Sequence, residues 1–172
     1  LIKSEEELKK LIHKVEEAGE LAIDTETNSL NPHLAKLVGI SISFKIGEAY
    51  YVPLNHSNGK NLDEKNILKI LKPLLEDKAI KKIGQNIKFD YIIFYHRGIE
   101  MKFLEDTMLM SYVLDAGKNK HNMDELSKIH LDHKTISYKD LVGTGKKQIT
   151  FDDVDIKEAK DYAAEDADVT YR

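Results

Sequence analysis

Apolar and charged positions interleave through LIKSEEELKK as in an amphipathic helix, and Ser4 followed by Glu7 has capping-box spacing. A helix is predicted from there to about Gly19. Three strand-like runs follow: LAIDTE (21–26), LVGISISF (37–44) and EAYYVPL (48–54). Lys45, Ile46 and Gly47 make a tight turn between the last two, which predicts an antiparallel hairpin. Asp63 is placed to cap a helix through Leu75, and AIKKIG (79–84) reads as a short strand. The next helix is predicted from Asn86 to about Arg97, stopped at Gly98. Asp106 can cap a helix to Leu114, and Asp124 lies near the start of another. Residues 134–151 read as irregular around Gly143 and Gly145, and a last helix runs from about Asp155 to Arg172.

Strands lead and then alternate with helices, the order of an α/β fold with a mixed sheet flanked by helices. A length of 172 residues suits one domain, with no internal repeat or linker. The last helix has no stop signal before Arg172 and the chain opens on leucine, so a fragment of a longer protein is expected.

Composition narrows the function classes. At 41% hydrophobic and 33% charged the chain is globular rather than disordered. No run approaches the roughly 18 apolar residues of a membrane span, and no signal-peptide core is present. The absence of cysteine excludes disulfides and thiolate metal sites, and a cytoplasmic monomer is expected. A net charge of −4 gives no basic surplus for gripping duplex DNA unaided. It leaves room for a short strand end held through metals, with another module holding the duplex.

The candidate chemistry is carboxylate. Asp24 and Glu26 lie two apart at the end of the first strand, hence on one face. By itself an Asp-x-Glu is more often a polar strand end. Asn86 and Asp90 are four apart on a predicted helix, with Asp90 on or beside the stripe of Ile87, Ile93 and Phe94, where a buried carboxylate needs a partner. An aspartate bonded to backbone at the stripe's border is the equal alternative. Tyr162 and Asp166 repeat that spacing on the last helix, among Ala163, Ala164 and Ala167, which would let it pack close to a sheet. Glu165 and Asp168 read as solvated charges. Four acids brought together would repel one another, and a divalent cation with oxygen ligands, Mg²⁺ or Mn²⁺, removes that repulsion. The seven histidines show no zinc spacing and read mostly as surface residues.

These residues carry a resemblance. D-T-E (24–26), N-I-K-F-D (86–90) and Y-A-A-E-D (162–166) resemble the three motifs of the tyrosine-containing (DEDDy) branch of the DnaQ-like exonucleases. G-Q-N-I-K-F-D (84–90), E-D-T-M-L (105–109), H-K-T-I (133–136) and G-K-K-Q (145–148) are similar to the proofreading domain of bacterial DNA polymerase I enzymes. The resemblance implies a ribonuclease H-like fold and stepwise 3′–5′ removal of deoxynucleoside monophosphates from single-stranded DNA ends, with a polymerase domain in the same parent chain. It implies two metal ions. Asp24, Glu26 and Asp166 would hold the first; Asp24, with Asp90 directly or through water, would hold the second. Tyr162 and Glu26 would orient the attacking water, Leu30 and Tyr138 would meet the terminal base, and Gln85 and Asn86 would contact the strand. Two rivals stand beside this reading: an RNA exonuclease of the ribonuclease D type, and a non-catalytic DNA-binding scaffold. The H-K-T-I and G-K-K-Q stretches favour the polymerase relative over the first, and the retained acids disfavour the second.

Overall fold

The computed structural model describes residues 1–172. Helix α1 (Glu5–Ala18) starts where Ser4 Oγ accepts the amide of Glu7 at 3.2 Å, and it ends on left-handed Gly19. Strands β1 (Glu20–Thr27), β2 (Leu37–Lys45) and β3 (Glu48–Pro53) form an antiparallel meander, with the predicted hairpin between the last two. After α2 (Glu64–Glu76), capped by Asp63, strand β4 (Lys81–Gly84) pairs parallel with β1. Helix α3 (Lys88–Tyr95) leads to β5 (Leu104–Asp106), parallel to β4. The sheet order is therefore β3-β2-β1-β4-β5, mixed as expected, with β1 at the junction of its antiparallel and parallel halves. Helices α4 (Thr107–Asp115), α5 (Met123–Leu131), α6 (Tyr138–Val142) and α7 (Ile156–Tyr171) complete the chain.

The alternation along β1 sorts side chains onto two layers. Leu21 and Ile23 face α1, α2 and α3 in the larger apolar core, with Ile40, Ile42, Leu71 and Phe94. On the other face α7 packs against the sheet through Ala159, Ala163 and Ala167, all fully buried, and a smaller core forms with Val38, Tyr51 and Phe151. Small side chains let the helix axis approach, as the alanine run predicts. Gly39 on β2 serves the same layer: a Cβ there would lie 2.0 Å from the Tyr51 hydroxyl oxygen. No helix is long and apolar enough to cross a membrane.

Several expectations need correction. Strand β5 is too short to show a period and was not predicted. The segment 134–151 is not without structure: it holds α6 and a 3₁₀ turn at Gly145–Lys147. Helix α3 begins at Lys88, so Asn86 is not on it; Asn86 is left-handed at φ 58°, a conformation that Asn tolerates. His56 is buried rather than on the surface, bonded to the Tyr51 hydroxyl at 2.7 Å and to the carbonyl of Val154 at 3.1 Å.

Candidate active site

The pairing of β1 builds the site. β4 follows β1 only as far as the Ala22–Ile83 pair, so beyond it β1 has a partner on one side alone. Thr25 faces the vacated side, and Asp90 of α3 fills the place of the missing strand. The Thr25 amide and hydroxyl both donate to Asp90 Oδ1, at 2.8 and 2.6 Å. This crevice lies at the carboxyl end of a strand where the sheet changes direction, a place where α/β sheets bind ligands.

Asp24 and Glu26 leave β1 on the opposite face, toward α7, and Asp166 meets them there. One carboxylate oxygen from each lies within 4.8 Å of the others. Asp90 stands outside that trio, close enough to affect it. Burial pushes the Asp24 and Glu26 carboxyls well above the usual range, and the neighbouring acids push them further. Burial raises Asp90 to about 7 against the opposing pull of the Thr25 donors, and raises Asp166 to about 7 against that of Tyr162. None of the ion pairs in the molecule involves any of these four acids. Glu26 Oε1 is buried without any hydrogen-bond partner, and so is Ser41 Oγ opposite Asp24. An orphaned carboxylate oxygen among acids with no cation beside them fits a divalent metal bound by oxygen.

An aromatic wall closes one side. The Tyr162 ring lies 6.0 Å from Tyr138 and 6.1 Å from Phe151, and Tyr138 stacks on Phe151. The Tyr162 hydroxyl faces Asp166 and Glu26, and burial together with those acids holds its pKa far above that of a free phenol. Tyr138 is 41% exposed at this wall, and Leu30, on the loop after β1, is 95% exposed.

Gln85 and Asn86 are placed differently. The Gln85 amide donates to the carbonyl of His121 at 2.7 Å and accepts from the Thr107 hydroxyl at 2.6 Å. The backbone N–H of Asn86 donates to Asp106 Oδ1 at 3.0 Å. Both brace the turn before α3.

Sequence reasoning missed Thr25, Phe151 and Glu165. Nothing in a central Asp-x-Glu position marks its threonine as the anchor of a carboxylate 65 residues away. Glu165 is not a solvated charge: its carboxylate accepts from the amide of Ile136 at 2.5 Å and bonds His133 at 2.8 Å. It thereby ties the approach to α6, and so to Tyr138, onto α7. Asp168 likewise accepts the amide of Gly47 at 2.6 Å and holds the hairpin turn.

A mixed sheet ending in a cluster of acids that could hold a metal ion defines a class, the hydrolytic nucleases with a ribonuclease H-like fold. All of residues 1–172 match the family described as 3′-5′ exonuclease, and the chain belongs to it. It is 46% identical to DNA polymerase I of Rhizobium leguminosarum, over 90% of this chain and 17% of that protein. It is also 46% identical to DNA polymerase I of Pseudomonas aeruginosa, over 94% and 18%. The chain thus spans under a fifth of the length of these relatives. Among solved structures, ribonuclease D of Escherichia coli superposes with a TM-score of 0.72 at 18% identity, over 98% of this chain and 41% of that one. NrnC of Brucella melitensis with bound Mg²⁺ gives 0.66 at 26%, over 90% and 69%.

Proposed function

We propose that this chain is the proofreading domain of a polymerase I-type protein. It removes 5′-deoxynucleoside monophosphates one at a time from single-stranded or frayed DNA 3′ ends, using two divalent metal ions. The observation that carries this is the trio of Asp24, Glu26 and Asp166 with an unpartnered Glu26 oxygen, beside an Asp90 fixed on Thr25. The trio would hold one cation, and Asp24 with Asp90 the other. When bound, the cations supply acidification of the attacking water and positive charge against the charge developing on phosphorus.

The chain's own groups do the rest. The phenol of Tyr162 keeps its proton at neutral pH, so it donates a hydrogen bond and orients rather than abstracts. Glu26 accepts from the same water through its free oxygen. Thr25 holds Asp90 at one oxygen and leaves the other for its ligand. Tyr138 and Leu30 offer aromatic and apolar surface to unstacked terminal bases, a mode that tolerates any sequence. A duplex end must first unstack, at a few kcal/mol per step, and the chain has little positive charge with which to hold duplex. The matched region is under a fifth of each DNA polymerase I relative, which supports a parent polypeptide that also carries a polymerase domain.

The test compares Mg²⁺-dependent mononucleotide release from 3′-labelled DNA and RNA of one sequence, each as a single strand and as a matched duplex. Fastest release from single-stranded DNA is expected. Preference for RNA would turn the reading to the ribonuclease D type, and no metal-dependent release would turn it to a scaffold.

A further inference from the structure

Behind the acid cluster lies a hydrogen-bonded pair that the mechanism above does not use. Tyr51 of β3 is fully buried, and Gly39 of β2 makes room for its hydroxyl. Gly39 is paired across the sheet with Glu26. A Cβ on Gly39 would sit 2.0 Å from that hydroxyl oxygen, and directly paired Cβ atoms stand about 5 Å apart. The phenol is therefore within a side chain's reach of the Glu26 carboxylate. Burial holds its pKa above that of a free phenol, and the charges of Glu26 and Asp24 add to the effect. Yet Glu26 Oε1 has no hydrogen-bond partner, whereas the Tyr51 hydroxyl is bonded to His56 Nε2 at 2.7 Å.

The direction of that bond follows from the far side of the ring. His56 Nδ1 lies 3.1 Å from the carbonyl oxygen of Val154, which can only accept, so Nδ1 carries a hydrogen. Burial favours the neutral ring, whose second nitrogen is an acceptor. Tyr51 thus donates its one proton to Nε2 and turns only lone pairs to the acids. The histidine is itself held in place: its backbone N–H donates to Asn61 Oδ1 at 2.9 Å, and Asn61 Nδ2 donates to its carbonyl at 2.8 Å. We infer that His56 is a positioning residue for the metal site: by taking the Tyr51 proton it keeps the phenol from capping Glu26, whose Oε1 stays free. This rests on the metal-dependent reading above. Without His56 the buried hydroxyl has lost its acceptor, and an unbonded O–H in the interior is costly. It turns instead to the unpartnered Glu26 oxygen, and there it competes with a divalent cation for the same lone pairs.

The experiment titrates Mn²⁺ into the full chain without DNA and follows free Mn²⁺ by electron paramagnetic resonance. Binding that disappears in the Asp24→Ala, Asp166→Ala variant belongs to the cluster. His56→Leu removes the acceptor, and His56→Asn removes it while keeping a donor for Val154. Each is expected to raise the cluster's Kd for Mn²⁺ about tenfold. Adding Tyr51→Phe to either should bring the Kd back to the wild-type value, and Tyr51→Phe alone should leave it unchanged. Weakening that the phenylalanine does not relieve overturns the proposal, because His56 then only supports packing. An unchanged Kd in the folded His56 variants overturns it as well. So does tighter binding in Tyr51→Phe alone, since the hydroxyl would already be capping Glu26. A wild-type chain with no Mn²⁺ at the cluster defeats the metal reading itself, and this inference with it.

Discussion

Thr25 and Asp90 are 65 residues apart, yet both polar hydrogens of Thr25 converge on one oxygen of Asp90. The threonine is thereby a positioning residue, holding a carboxylate where β4 has left the sheet. Thr25→Val keeps the shape and removes the hydroxyl donor. A hydrogen bond to a charged group is worth roughly 1.5–3 kcal/mol, so single-turnover cleavage should fall by about tenfold or more. Thr25→Ser should restore most of the rate. Equal rates for the valine variant and the wild type would show that the amide alone positions Asp90.

The acid trio predicts that cations stabilise the fold. Mg²⁺ or Mn²⁺ should raise Tm in thermal melts, because the cation binds the assembled cluster and not the unfolded chain. The increment should largely vanish in the Asp24→Ala, Asp166→Ala double variant. An equal rise in both proteins would locate metal binding elsewhere.

Tyr162→Phe separates orientation from ligation. It removes one hydrogen bond, about 1 kcal/mol net, and every carboxylate stays. Single-turnover cleavage at saturating Mg²⁺ should drop by about tenfold, while the Mg²⁺ concentration for half-maximal rate stays unchanged. Asp24→Ala should do much worse. Wild-type speed in the phenylalanine variant would reduce Tyr162 to packing against Tyr138 and Phe151.

Lys82 carries a pH prediction away from the site. Its side chain is fully buried on β4, and its ammonium donates to the carbonyls of Asp77 and Ile80. Burial lowers its pKa to about 8, below the value of about 10.4 in an unfolded chain. Between those values the unfolded state binds more protons, so the stability contribution of this residue rises as pH climbs through 8. Urea melts of wild type and Lys82→Met should diverge in favour of wild type by about 1–2 kcal/mol between pH of about 7.5 and 9.5. A constant difference across that range would mean that the ammonium is not desolvated.

Local rules made much of this protein legible in its sequence. The Ser4 and Asp63 caps, the Gly19 stop and the hairpin at Gly47 depend on neighbours within a few residues, and the structure keeps all of them. Asp24 and Glu26 share a face because strand geometry has a period of two. The alanines of α7 declared a close approach because small side chains permit little else. What pairs with what across the chain was not legible. Asp90 meets Thr25 where β4 has ended, and left-handed Asn86 gives its backbone N–H to Asp106, 20 residues away. Glu165 and Asp168 resemble ordinary helix charges until His133, Ile136 and Gly47 arrive from distant segments. Caps, turns and periods are set by short-range sterics and hydrogen bonds that any window of sequence contains. Long-range partners are set by which surfaces meet when the sheet closes, and that is decided only by the tertiary structure.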